Sequence, residues 1–171
     1  MKYLSNFLLL CTTALLLSAT TKQSKQKIFL RLVDASGQTI RGTSVERFYE
    51  RQIEVTAFSG LTTGNPQVKF TMPSGAATAI LANLQGNKQK LSSGVFTNTE
   101  QGEPTLNVTS TVRLEEVIVI SVSDANGSTE VTLKASRIGT TYFQNNLKTG
   151  VRTVGSKTGF DFANKQPWAA F

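Results

Sequence analysis

Two runs of alternating apolar and polar residues, joined by Asn126-Gly127, restrict this chain more than any other feature. The first, residues 105–123 (TLNVTSTVRLEEVIVISVS), places Val112, Leu114, Ile118, Ile120 and Val122 on one parity. The second, residues 129–143 (TEVTLKASRIGTTYF), carries Val131, Leu133 and Ala135, then changes parity to Ile138 and Tyr142 near Gly139. Period two with polar alternates means one face packed and one face wet. Asn-Gly between two such runs is the strongest short hairpin signal, because both residues tolerate the positive φ that a two-residue turn demands. The pattern predicts one long hairpin, twisted or kinked at about the glycine. Glu116 interrupts the first run, the mark of a bulge, a strand end or a carboxylate facing a partner.

Further strands are expected on the same grounds. Residues 27–34 (KIFLRLVD) end at the turn Ala35-Ser36-Gly37. Residues 52–58 place Ile53, Val55 and Ala57 on one face, and residues 67–72 turn Val68, Phe70 and Met72 inward. The segment Gly42 to Arg51 has no clean period and reads as a long loop or one helical turn. Helix signals occur once. Ser74 is a candidate N-cap, Ala76, Ala77, Ile80, Leu81 and Leu84 form one apolar stripe, and Gly86 sits where a left-handed residue would end the helix. Thr153 to Phe171 holds one further short strand and an aromatic tail. The expected fold is mainly β: a small antiparallel barrel or sandwich of about six to eight strands, with one helix inserted at about residues 75–85.

The N-terminus carries a processing signal. Lys2 precedes the apolar run Phe7 to Leu17, and Ser18-Ala19 supplies small residues for cleavage after Ala19. The run is shorter than the roughly 17 apolar residues that a membrane span needs, and it gives way at once to polar residues. Cys11 follows leucines rather than the small residue that a lipid-attachment site requires. The expected organisation is a signal peptide over 1–19, a short polar leader over 20–27 and one domain over 28–171, in a secreted or periplasmic protein without a stable membrane anchor.

Removing residues 1–19 takes away the single cysteine, and the chain has 0 histidines. Cysteine nucleophiles, Cys/His zinc sites and Ser-His-Asp arrangements are therefore excluded, and no cofactor, metal or catalytic residue is assigned. An enzyme would have to run on carboxylates, lysine or tyrosine alone. Glu115-Glu116 is the nearest to an acid/base pair, but neighbours on a regular strand point to opposite faces, which favours solvated charge. Asp161 lies among Phe160, Phe162 and Trp168 and reads as a turn or cap carboxylate. The formal net charge is +7. Its basic residues (Arg41, Arg47, Arg51, Lys88, Lys90, Lys148, Arg152, Lys157 and Lys165 among them) are scattered and do not interleave with aromatics, which argues against nucleic acid. Arg41, Arg47, Phe48, Tyr49 and Arg51 form a candidate subunit-interface patch, since arginine and aromatics are enriched in binding hot spots.

The order of these pieces resembles the haemolysin-coregulated (Hcp) tube proteins of type VI secretion systems. The resemblance rests on Ile28-Phe29-Leu30-Arg31-Leu32, on Gly42 to Ser44 followed by Ile53-Glu54-Val55, and on Val68-Lys69-Phe70 leading into the helix. It rests also on the hairpin from Leu114 to Leu133, on Ala135 to Ile138 with Tyr142, and on Gly159 to Lys165 with Trp168. Phe160 stands where the family usually has tryptophan, Tyr142 lacks the usual preceding tryptophan, and the signal peptide departs from a family normally made without one. The resemblance implies a structural subunit and not an enzyme: six copies in a ring, rings stacked into a hollow tube, the loop from Gly42 to Arg51 reaching toward the next ring. It further implies effector cargo in the lumen, a spike protein at the tip and a Gram-negative source. The alternative reading is a secreted monomeric binding module or adhesin that keeps the fold without tube assembly.

Overall fold

The computed structural model describes residues 25–60, 64–101, 106–146 and 151–171. The segment expected to be a signal peptide, with its expected cleavage site, lies outside them. Along the chain the elements are β1 (Gln26–Asp34), β2 (Ile53–Val55), β3 (Ala57–Ser59), β4 (Gln67–Pro73), α1 (Ala76–Gly86) and β5 (Lys90–Glu100). They continue as β6 (Asn107–Ala125), β7 (Ser128–Asn145), β8 (Arg152–Asp161) and β9 (Gln166–Pro167). β1 begins inside the segment read as a polar leader.

All strands are antiparallel and belong to one sheet, ordered β2-β1-β5-β6-β7-β4-β3, with β8 on β7 and β9 on β8. β7 is long enough to serve two neighbours on one edge, β4 along Ser128 to Lys134 and β8 along Arg137 to Asn145. β2 and β3 lie at opposite ends of this order yet are separated in sequence only by Thr56. The sheet therefore rolls until its two ends lie side by side, and the Thr56 N–H donates to the Thr71 carbonyl at 2.8 Å across the seam. No ladder pairs β2 with β3, so the expected barrel is rolled but not closed.

The roll encloses one core, with Leu30, Leu32, Phe70, Phe96, Leu114 and Leu133 almost wholly buried. Burial of each such side chain contributes about 1.5–3 kcal/mol. α1 packs on β6 and adds Ala77, Leu81 and Leu84 to this core, while Ile80 of the expected stripe stays 41% exposed. Ser74 is not the N-cap. Gly75 holds that position and its N–H donates to Thr78 Oγ1 at 3.1 Å. The Ser74 hydroxyl is engaged instead with Asp124 and Thr129, which ties the helix start to the far hairpin. Nor does Gly86 end the helix in a left-handed conformation; the left-handed residue is Lys88, at φ 52°.

The β6–β7 hairpin forms as expected, with Asn126 and Gly127 at φ 53° and 75°. Its facing differs. Val112 and Leu114 are buried, but directly beyond Glu116 the buried residues are Val117 and Val119, not Ile118 and Ile120; Val122 packs partly buried against the core, as expected. Glu116 sits at φ 51°, and that single left-handed residue reverses the alternation. β7 changes parity at the same rung, from Ala135 to Ile138, since Val117 faces Ala135 and Leu114 faces Ile138. Gly139 is thus not the kink, and Tyr142 is 49% exposed rather than inward. Ile120 falls at a register shift, a β-bulge that leaves it 42% exposed. β5 carries no period-two signal, because its buried residues Leu91, Gly94, Phe96 and Thr99 change parity across the same fold in the sheet.

Candidate assembly interface

Two exposed surfaces flank the core. The first is the loop between β1 and β2. A backbone bridge from Val33 to Thr39 turns the chain, and Ile40 is buried as an anchor. The loop neck is then closed by Gly42 N–H to Arg51 O (2.7 Å), Arg51 N–H to Ser44 O (2.8 Å) and Ser44 N–H to Gln52 O (3.1 Å). Glycine is required at 42: a Cβ there would lie 2.3 Å from the Gln52 carbonyl oxygen. Glu46 pairs with Lys27 of β1.

The five residues expected at an interface divide into two groups here. Arg41, Arg47, Phe48 and Arg51 are exposed. Tyr49 instead stacks on Phe29, with ring centroids 4.3 Å apart and planes 10° from parallel, and covers it on the side away from the main core. Burial pushes the Tyr49 hydroxyl above its ordinary pKa, partly opposed by the charge of Arg152. At the tip Val45 is 91% and Phe48 64% exposed. Phe48 has φ 72°, a strained conformation for an aromatic residue costing on the order of 1–3 kcal/mol, and Arg47 lies 4.9 Å over its ring. Val45 was not among the expected residues, since its isolation between polar residues gave no signal.

The second surface is β8. It pairs with β7 along one edge, while on the other edge β9 meets it only at Phe160 and Asp161. Residues 152–158 are all exposed, and among the described residues no strand pairs with their outer edge. Val154 is 55% exposed in the middle of this stretch.

Beyond β8 the tail folds back over the hairpin. Asp161 Oδ1 accepts the N–H groups of Ala163 and Asn164, both at 2.9 Å, and its Oδ2 accepts the Asn164 side-chain amide at 3.0 Å. The Asn164 backbone and side-chain bonds lead in holding this carboxyl below its ordinary pKa, with Arg137 adding to them. The turn role expected for Asp161 is what the structure shows. Arg137 also binds Glu115 Oε2 (2.8 Å) and Glu116 Oε1 (3.3 Å). The two glutamates were expected on opposite faces; the positive φ of Glu116 brings both to one guanidinium. Three carboxylates thus meet at Arg137, and Arg113 shares Glu115 with it. The general acid of a two-carboxylate hydrolase must keep its proton, and Asp161 is driven away from that role. Among the described residues no group of three or more Cys, His, Asp or Glu is placed to hold a metal ion.

Protein-family models and curated proteins give no match to this chain. Solved structures do. The crystal structure of Hcp1 from Salmonella typhimurium superposes with a TM-score of 0.66 at 18% identity, covering 84% of this chain and 99% of that one. The fold is that of the Hcp proteins. The structure of a type six secretion system protein superposes on the chain with a TM-score of 0.70 at 15% identity, covering 84% of this chain and 100% of the other. Secreted protein Hcp3 from Pseudomonas aeruginosa gives 0.64 at 14% identity, over 81% and 99%.

Proposed function

We propose that this chain is a structural subunit that assembles with copies of itself into rings or tubes resembling the type VI secretion tube, after export through an N-terminal signal peptide. One observation carries the reading: residues 152–158 of β8 leave a backbone edge unpaired beside exposed Val154, on a chain with the Hcp fold. An edge of that length invites pairing with another chain, and closing a ring of identical subunits removes it. The loop tip with Val45, Arg47 and Phe48 is the second contact, suited to the next ring in a stack. Effectors in the lumen and a spike at the tip are the partners such a tube would take.

Hydrogen–deuterium exchange across residues 152–158, at low and high protein concentration, tests the edge. Slower exchange of alternate amides at high concentration is expected. Exchange that stays fast and independent of concentration would favour the monomeric binding module instead.

A further inference from the structure

A polar cleft of about 580 Å³ opens at the neck of the β1–β2 loop, lined by Arg31, Gln38, Thr39, Arg41, Glu50, Arg51 and Gln52. Three guanidinium groups share it with one carboxylate. Outside the cleft each described arginine has a partner of its own: Arg113 binds Glu115, Arg137 binds Glu115, Glu116 and Asp161, and Arg47 and Arg152 lie over the rings of Phe48 and Phe143. Among the described residues Arg31, Arg41 and Arg51 have no ion pair, Glu50 included. Arg51 is moreover held in a left-handed conformation at φ 61°, fixed through its N–H to Ser44 O and its carbonyl to Gly42 N. Such strain persists only where the surroundings impose it, and it sets the stem of Arg51 before any ligand arrives.

We propose that this cleft binds a multiply charged phosphate group. Guanidinium presents paired N–H donors that match phosphate oxygens, and several around one cleft favour a ligand with several charges. Gln38, Thr39 and Gln52 supply neutral hydrogen-bonding groups. Among the described residues no aromatic side chain lines the cleft to stack on a nucleobase, so recognition falls on the phosphates themselves. The volume suits a compact ligand, since small-molecule sites span about 300–1,000 Å³. The inference rests on residues of one chain alone.

Isothermal titration with inorganic tripolyphosphate in physiological salt tests it. Saturable binding at one site per chain is expected. The double variant Arg41→Gln, Arg51→Gly should weaken it by at least about tenfold, the loss of one or two charged hydrogen bonds. Glycine at 51 suits the positive φ, so an unchanged or raised melting temperature shows that the fold is intact. Lys88→Gln, Lys90→Gln makes the same change in net charge outside the cleft and should leave affinity within about twofold. Absent binding, or equal losses in the two double variants, overturns the proposal. Co-sedimentation with phosphatidylglycerol vesicles, but not phosphatidylcholine vesicles, and its reversal by tripolyphosphate would assign the site to membrane headgroups. Binding of tripolyphosphate without vesicle binding assigns it to a soluble phosphorylated compound.

Discussion

Alanine at Gly139 puts a methyl group where the ring of Phe171 now rests: a Cβ there would lie 2.6 Å from Phe171 Cδ1 and 2.7 Å from Cε1 and Cγ. Gly139 faces Gly159 across the β7–β8 ladder, and the C-terminal ring covers both glycines while contacting Trp168 at 4.7 Å. The methyl expels the ring. Half-burial of a phenylalanine is worth about 1–1.5 kcal/mol and an aromatic pair about 0.5–1.5 kcal/mol, so the displacement costs about 2 kcal/mol. Alanine returns about 0.5–1 kcal/mol, because glycine in a strand loses more backbone freedom on folding. Gly139→Ala should therefore destabilise by about 1–2 kcal/mol in urea unfolding. In a Phe171→Ala background the methyl has room and the sign reverses, to a gain of up to about 0.5–1 kcal/mol. Gly159→Ala serves as the contrast: its Cβ would also lie 2.5 Å from the Trp168 carbonyl oxygen, so it stays destabilising in both backgrounds. An equal cost for Gly139→Ala with and without Phe171 would refute the reasoning.

Thr129 is fully buried and its hydroxyl meets Thr78 Oγ1 at 2.8 Å and Ser74 Oγ at 3.0 Å, so Thr129→Val should cost about 1–3 kcal/mol in thermal or urea unfolding despite its equal shape. Asp161 has a folded pKa below its ordinary 3.8, so its stabilising contribution is complete above that value and is lost as pH falls through the folded one. Melting temperature below pH 3.8 should accordingly fall more steeply for the wild type than for Asp161→Asn. Mass spectrometry of the exported protein should give a mature N-terminus at Thr20.

The hairpin and the inward faces of β2 and β4 were legible because local chemistry alone decides them: Asn126-Gly127 fixes a turn, and Val68, Phe70 and Met72 alternate without interruption. Ala57, expected beside Ile53 and Val55, is exposed because the strand breaks at Thr56 and Phe58 packs on the core instead. Facing beyond Glu116 was not legible, because a single left-handed residue resets parity and nothing in its side chain announces it. β5 was hidden for the same reason, its buried residues straddling the change. Ser74 looked like a cap by type and position, but a buried threonine and Asp124, brought close by a distant hairpin, competed for its hydroxyl. Arg41, Arg47, Phe48 and Arg51 are exposed in the loop, whereas Tyr49 covers Phe29, a contact between segments far apart in sequence. The edge of β8 depends on which strand lies beside which, and no local pattern reports that.

Molar mass by light scattering across a wide range of concentration, with negative-stain images of the same fractions, tests the proposed assembly most directly. The account predicts a mass that is an integral multiple of the subunit, with ring-shaped particles and stacks at the highest concentration. A strictly monomeric mass throughout, with no rings, would contradict it.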